Sequence, residues 1–274
     1  MIFDAHLRAD ALRARDLDDL RFFGVAGALV PLPADGPATP AAGLRRDWEG
    51  AMRDVARLRR SGLAAFAALA VPPGRIPARG LEALLAELPD WLSRRGVAAI
   101  GPLGPGGGTP REEEVFLRQL EAARDLRLPV LLRAGEGDRE RATRRVLAML
   151  REGGVEPGRV LLDGASARSV RLARAVGCVA VLSLSTGRSP LDAAARAVRE
   201  LGPEGIALAT HAGGGPGDLL ALPRAADRMA RLGLSGAVIR RVCGRNALDA
   251  LGLSPAELQA AAGPSARSAR RPSR

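Results

Sequence analysis

The two histidines of this 274-residue chain, His6 and His211, are the residues best suited to proton transfer or metal binding. His6 follows the apolar start of the chain, within the pattern Asp4-x-His6-x-Arg8. Because side chains two residues apart in a strand point the same way, we predict that these three side chains project together from the end of a first strand. Imidazoles titrate near neutral pH, so His6 and His211 are candidate catalytic residues.

Eight short apolar runs alternate with amphipathic segments along the chain. The runs are predicted strands and lie at residues 2–3, 27–32, 64–71, 97–100, 128–132, 160–162, 178–184 and 206–209. Helices are predicted at about residues 17–23, 44–60, 81–94, 139–151, 189–201, 219–232 and 235–251. Two further helices are predicted to begin after the capping residues Thr109 and Ser166. Residues 37–43 are predicted to form a loop.

Buried strands that alternate with helices indicate a parallel sheet, and eight such units at this length predict an α/β fold, a (β/α)8 barrel. A doubly wound sheet is the alternative, but no Gly-x-Gly-x-x-Gly follows the first strand. We predict a single barrel domain over residues 1–253. Residues 254–274 are expected to be a mostly disordered extension with a C-terminal helix and a basic tail.

The composition restricts the classes of partner. All 41 basic residues are arginine and the net charge is +11, but four arginines of the Ser/Pro/Arg tail contribute to that excess. The other arginines are mixed with acidic residues, so nucleic-acid binding is not expected. No apolar run approaches the length of a membrane span, no signal peptide is evident, and a cytoplasmic location is expected. The two isolated cysteines suggest neither a zinc site nor a disulfide framework.

In a (β/α)8 barrel, catalytic residues lie at the carboxyl ends of the strands. The predicted strands end at His6 and Arg8, Gly101-Pro102, Arg133, Asp163, and Thr210-His211. Strands one and eight are neighbours in a closed barrel, so we predict that the two histidines lie close together. The alternative is that each histidine belongs to an unrelated loop or helix cap.

Several segments, taken in order, resemble the TatD-type metal-dependent hydrolases, which are amidohydrolase-like barrels, and in particular a branch of archaeal predicted hydrolases. The resemblance extends from Ile2 to about Leu253. It rests on Asp4-Ala5-His6, the segments 97–104 (VAAIGPLG), 118–123 (RQLEAA) and 128–133 (LPVLLR), and the closing segments 244–248 (GRNAL) and 251–253 (LGL). The resemblance implies the barrel fold and an ancestry in hydrolysis.

The family binds one or two divalent metals such as zinc, manganese or magnesium. Its ligands are two histidines after strand one, a glutamate after strand four, histidines after strands five and six, and an aspartate after strand eight. The resemblance implies that His6 alone is retained, while the other positions hold Arg8, Pro102, Arg133, Gly164 and His211. Arginine has no acceptor lone pair and stays protonated, so we predict no metal cofactor and a loss of the family's hydrolysis.

Two interpretations of the altered strand ends remain open. In the first, Arg8 and Arg133 are neutralised by nearby carboxylates, and an ion-pair network replaces the metal. In the second, the two arginines bind a phosphate or carboxylate. The predicted ligand-binding residues are then Arg8, Arg133, Asp163, Thr210, Gly213 and Gly214. The loops 185–189 and 213–217 each lead into a helix amino terminus, where barrels often bind phosphate.

Two functional classes follow from the sequence. The first is a pseudoenzyme, a non-catalytic barrel that binds a small anionic ligand or a protein partner. The second is a residual or repurposed hydrolase that acts on a phosphate- or carboxylate-bearing small molecule or nucleotide. In the second class His6 and His211 would supply the acid and base. Metal content separates residual metal-dependent hydrolysis from the first class.

Overall fold

The computed structural model describes residues 1–34, 36–133, 139–185, 191–213 and 217–263. Within these ranges eight strands pair in parallel in the order β1 to β8, with helices between them, so the predicted (β/α)8 barrel is confirmed. The strands are β1 (Ile2–Asp4), β2 (Val25–Pro31), β3 (Ala64–Leu69), β4 (Val97–Leu103), β5 (Val130–Arg133), β6 (Val160–Asp163), β7 (Val179–Ser183) and β8 (Ile206–Ala209).

The helices cover the outside of the barrel and one of its ends. They are α1 (Ala14–Phe22), α2 (Ala41–Arg60), α3 (Leu81–Leu92), α4 (Pro110–Asp125), α5 (Arg139–Glu152), α6 (Ala167–Ala175), α7 (Leu191–Leu201), α8 (Ala221–Arg231), α9 (Gly236–Arg240), α10 (Asn246–Leu251) and α11 (Pro255–Ala261). No helix in the described part of the chain is long and apolar enough to cross a membrane.

Backbone hydrogen bonds bring the first and last strands together. The Ala5 N–H donates to the Leu208 carbonyl (3.3 Å), and beyond the strand ends the His211 N–H donates to the His6 carbonyl (3.0 Å). Closure removes the exposed edges that an open sheet would leave unpaired. It also places the segments that follow β1 and β8 side by side.

Local sequence signals account for most helix boundaries. In α4, Thr109 caps the Glu112 N–H while the Glu112 side chain accepts from the Thr109 N–H, and Pro110 occupies the first turn as predicted. Ser166 likewise caps α6 through the Ser169 N–H. The loop predicted at residues 37–43 is wrong at its end, because α2 already begins at Ala41, directly after Pro40.

Two hydrophobic clusters follow from the alternation along the strands. Alternate strand residues such as Leu131, Leu161 and Val181 form the interior of the barrel, and their neighbours pack outward against the helices. The base of the interior is filled by α10 and by Leu258 of α11, which is buried. The segment predicted as an extension from residue 254 therefore includes a helix that closes the barrel, and residues 264–274 lie outside the described residues.

Candidate functional site at the barrel mouth

His6, Asp163 and His211 form one cluster at the carboxyl ends of the strands. Asp163 Oδ2 lies 2.9 Å from His6 Nδ1, and Asp163 Oδ1 lies 3.0 Å from His211 Nε2. The two imidazole rings stack with their centroids 3.9 Å apart. The predicted proximity of the two histidines is confirmed, and the carboxylate that joins them follows β6.

The cluster is held by the carboxyl ends of three strands, β1, β6 and β8. Asp163 is the last residue of β6 and lies two positions after Leu161, which faces the barrel interior. His211 follows β8 with φ of 53°, a left-handed conformation that is rare outside glycine. That conformation, together with the hydrogen bond from the His211 N–H to the His6 carbonyl, places the two rings against each other.

The Asp163 carboxylate is ionised in this environment. Burial alone would raise its pKa, but the charges of His211 and His6, and then their hydrogen bonds, hold the pKa well below its ordinary value of 3.8. The Gly164 N–H also donates to Asp163 Oδ1 (2.9 Å). Gly164, which the resemblance placed at a lost ligand position, therefore supports the carboxylate through its backbone.

A second buried carboxylate, Asp4, binds the segments that follow β1 and β8 to each other. Its Oδ1 accepts from the His6 N–H (3.0 Å) and the Thr210 N–H (3.1 Å), and its Oδ2 accepts from the Thr210 hydroxyl. The Thr210 oxygen in turn accepts from the Ala212 N–H (3.0 Å). Burial raises the pKa of Asp4 to about 6, although the hydrogen bonds from Thr210 and His6 oppose that shift. Thr210, predicted to bind ligand, thus has a positioning contact with Asp4.

Arg8 does not share a strand face with Asp4 and His6, because β1 ends at Asp4 and the alternation expected from a strand does not extend to position 8. Its guanidinium lies 3.8 Å from the Asp10 carboxylate, and its side chain is about one-third exposed. The Arg8 N–H donates to the Ala212 carbonyl (2.9 Å). The ion pair with Asp10 agrees with the first interpretation, in which nearby carboxylates neutralise the arginines at the strand ends.

Gly213 has a conformational role next to Arg8. Its φ is 89°, and a Cβ at this position would lie 1.8 Å from the Arg8 carbonyl oxygen. Only glycine therefore fits between the segments that follow β1 and β8. Gly214 lies outside the described residues, as do residues 186–189 of the loop after β7 and residues 215–216 of the loop after β8.

Arg133 belongs to the same mouth by strand register. It is paired with Asp163 across β5 and β6, and it lies two residues after the interior residue Leu131. Side chains two apart on a strand share a face, so Arg133 is directed toward the interior beside Asp163. Ser183 at the end of β7 follows the same rule, two residues after Val181. Ser183 was not among the site residues predicted from the sequence, although the alternation along β7 places it at the mouth.

Among the described residues, the donor set of the mouth fits one metal ion. One ligand atom from each of His6, Asp163 and His211 lies within 4.8 Å of the others. This is the only such group of three that the described residues contain. Two imidazoles and a carboxylate suit a divalent ion such as zinc. The strand-four ligand position holds Pro102, which follows Gly101 through a cis peptide bond and supplies no donor side chain.

The fold and this mouth define a (β/α)8 barrel with a cluster of polar side chains at the carboxyl ends of its strands. The chain matches no protein-family model. It is 25% identical over 237 residues, or 85% of its length and 92% of the relative's length, to a Methanocaldococcus jannaschii protein described as an uncharacterized metal-dependent hydrolase. The predicted resemblance to archaeal metal-dependent hydrolases is thus confirmed by a relative that is matched over nearly its full length.

Solved structures with the same fold include a TatD-like protein from Archaeoglobus fulgidus, with a TM-score of 0.75 and 22% identity over 92% of this chain and 100% of that chain. A TatD homologue from Escherichia coli matches with a TM-score of 0.64 and 18% identity, over 92% of this chain and 98% of that chain. The phosphotriesterase homology protein of Escherichia coli was solved with phosphate in its active site. It matches with a TM-score of 0.65 and 17% identity, over 89% of this chain and 96% of that chain.

Proposed function

We propose that this chain is a TatD-like barrel that has lost the family's two-metal centre and that binds a small anion at its mouth without hydrolysing it. The observation that carries the proposal is the cluster of Asp163 with His6 and His211. Its three donors contact one another where the family resemblance places metal ligands. The donors are fewer than two metals require, and Arg133 adds a fixed positive charge beside them.

The mouth offers an anion hydrogen-bond donors on the imidazoles of His6 and His211 and on the guanidinium of Arg133. The Asp163 carboxylate holds both rings by hydrogen bonds. Because the rings are already ordered, ligand binding does not incur the entropic cost of immobilising them. A phosphate or carboxylate would then accept hydrogen bonds from a guanidinium and from imidazole nitrogens. Arg8, paired with Asp10, is not required for this arrangement.

Thermal unfolding of the metal-free protein with inorganic phosphate or acetate tests the proposal. An anion at ten times its dissociation constant stabilises the folded state by about 1.4 kcal/mol, which is a rise of roughly 3–5 °C in Tm for a domain of this size. We expect this rise for the parent protein and none for Arg133→Ala.

The matched control is Arg199→Ala, which removes one exposed positive charge from α7, distant from the mouth. We expect Arg199→Ala to respond to phosphate as the parent does. A rise in Tm that survives Arg133→Ala, or the absence of any response to either anion in the parent protein, would contradict anion binding at the mouth.

A second candidate, a residual hydrolase with a single metal, is supported by one specific observation. The donor atoms of His6, Asp163 and His211 lie close enough together to hold one ion. Such an ion would supply Lewis-acid activation of water or substrate. In this candidate, Asp163 and the two imidazoles give up their mutual hydrogen bonds to hold the metal, while Asp4 and Thr210 keep the backbone of the histidine segments in place.

Metal analysis separates the two candidates. Isothermal titration of the metal-free protein with zinc or manganese chloride should show no stoichiometric binding if the first proposal is correct. One tightly bound metal per chain, abolished by Asp163→Asn, would overturn the first proposal and support the single-metal hydrolase. Asp10→Asn is the control, because it removes an exposed carboxylate near the mouth that lies outside the cluster.

A further inference from the structure

A cavity of about 350 Å³ lies at the opposite end of the barrel from the mouth. It is bounded by the amino ends of β3 and β4, by the segment before β5, and by α10 and α11. Its apolar walls include Phe66, Val97, Leu128, Leu251 and Leu253. The residues of the mouth cluster do not line this cavity, so it is a separate site.

Three arginines line the same cavity, each from a different part of the chain. Arg59 comes from the last turn of α2, Arg95 from the turn before β4, and Arg159 from the turn before β6. Among the described residues, no carboxylate forms an ion pair with any of the three. Glu257 also lines the cavity, but its carboxylate accepts from the N–H (2.8 Å) and hydroxyl (2.7 Å) of Ser254 at the start of α11.

The guanidinium of Arg59 is held in place without a counter-ion. Its Nε donates to the Ala65 carbonyl (2.9 Å), and its Cζ lies 5.1 Å from the centre of the Phe66 ring. Gly96, with φ of 105°, lies beside it, and a Cβ there would be in ordinary van der Waals contact with Nη1 at 3.5 Å. Burial and then the nearby charge of Arg95 lower the pKa of Arg59.

Three positive groups around a partly apolar cavity match the chemistry of an amphipathic anion. We propose that this cavity binds a small phosphate monoester, with the phosphate between Arg59, Arg95 and Arg159 and an apolar group against the Phe66 and Leu253 side. A dianionic phosphate neutralises more of the crowded charge than a carboxylate does. The chain's own tail, residues 264–274, suits the cavity poorly, because its side chains carry four further positive charges.

Isothermal titration of the full chain with phenyl phosphate tests the site, with inorganic phosphate and phenol as partial ligands. We expect one phenyl phosphate to bind at this cavity at least about tenfold more tightly than either partial ligand. The double variant Arg95→Ala/Arg159→Ala should weaken that binding by at least about tenfold, the loss expected when charge-assisted hydrogen bonds are removed. Both residues lie in surface turns, so the fold is expected to tolerate the change.

Arg168→Ala/Arg199→Ala is the control, since it removes the same charge from the exposed surfaces of α6 and α7. It should leave phenyl phosphate binding within about twofold of the parent. Arg133→Ala should also leave it unchanged, which separates this cavity from the mouth and makes the two proposals independent. The inference is overturned if the parent does not bind phenyl phosphate, or if Arg95→Ala/Arg159→Ala binds it as tightly as the parent. It is also overturned if Arg133→Ala, which lacks the anion site proposed at the mouth, binds inorganic phosphate as tightly as phenyl phosphate.

Discussion

Asp4 and Asp163 are both buried carboxylates of the barrel mouth, and we expect their replacement by asparagine to have opposite effects on stability. Asp163 accepts from both histidines, and an amide can replace only part of that interaction. Hydrogen bonds to charged groups contribute about 1.5–3 kcal/mol each, so Asp163→Asn should destabilise the protein by about 3 kcal/mol at pH 7.5.

Asp4 is unfavourably charged above pH 6, because burial raises its pKa from 3.8 to about 6. That shift corresponds to a penalty of about 3 kcal/mol on the ionised form. An asparagine avoids the penalty and can still accept from the His6 and Thr210 amides, but it costs part of the bond to the Thr210 hydroxyl. Asp4→Asn should therefore be between neutral and about 2 kcal/mol stabilising at pH 7.5.

The pH dependences also differ in sign. The folded-state pKa of Asp163 is depressed, so its contribution is complete above pH 3.8 and is lost as the pH falls through the lower folded-state value. The folded-state pKa of Asp4 is raised, so its contribution is complete below pH 3.8 and is lost as the pH rises to about 6. The Asp4→Asn advantage should thus grow between pH 4 and 6 and then stay constant.

Urea unfolding of the parent and both variants at pH 4, 5 and 7.5, followed by circular dichroism in the presence of a chelator, measures these differences. The reasoning would be refuted if Asp163→Asn were destabilised by less than about 1 kcal/mol at pH 7.5. It would also be refuted if Asp4→Asn were destabilised as much as Asp163→Asn, because the two carboxylates would then be equivalent.

Three further substitutions test the packing of the barrel by the same unfolding assay. Gly213→Ala should cost at least about 2 kcal/mol more than Gly233→Ala, since the two glycines have φ of 89° and 81° but only the first would place a Cβ against backbone; equal costs would refute the close contact. Asn246→Ala should cost about 2–3 kcal/mol, because its amide donates to the Pro203 and Ile206 carbonyls (2.6 and 2.7 Å), and a loss below 1 kcal/mol would contradict that role. Arg8→Ala should change stability by less than about 0.5 kcal/mol, as expected for an exposed ion pair, and a larger loss would indicate a buried partner.

The strand ends show how much of the candidate site could be predicted from local sequence. The apolar runs place Asp163 at the end of β6 and His211 just after β8, because hydrophobic patterning reports burial directly. Boundaries were less accurate: the first strand ends at Asp4, and α2 begins at Ala41, three residues earlier than predicted. Turn geometry and backbone hydrogen bonds set these limits, and neither is visible in the apolar pattern.

The apolar pattern was enough to predict the eight strand–helix units, the barrel they form and the position of both histidines at its carboxyl end. The tertiary structure settles which atoms meet there. It joins Asp163 to both imidazoles and Asp4 to Thr210. The physical reason is that such contacts depend on barrel closure and on the left-handed backbone at His211, which bring together residues far apart in the chain. The parallel order of β3 to β6 brings Arg59, Arg95 and Arg159, each of which precedes a strand, to the base cavity.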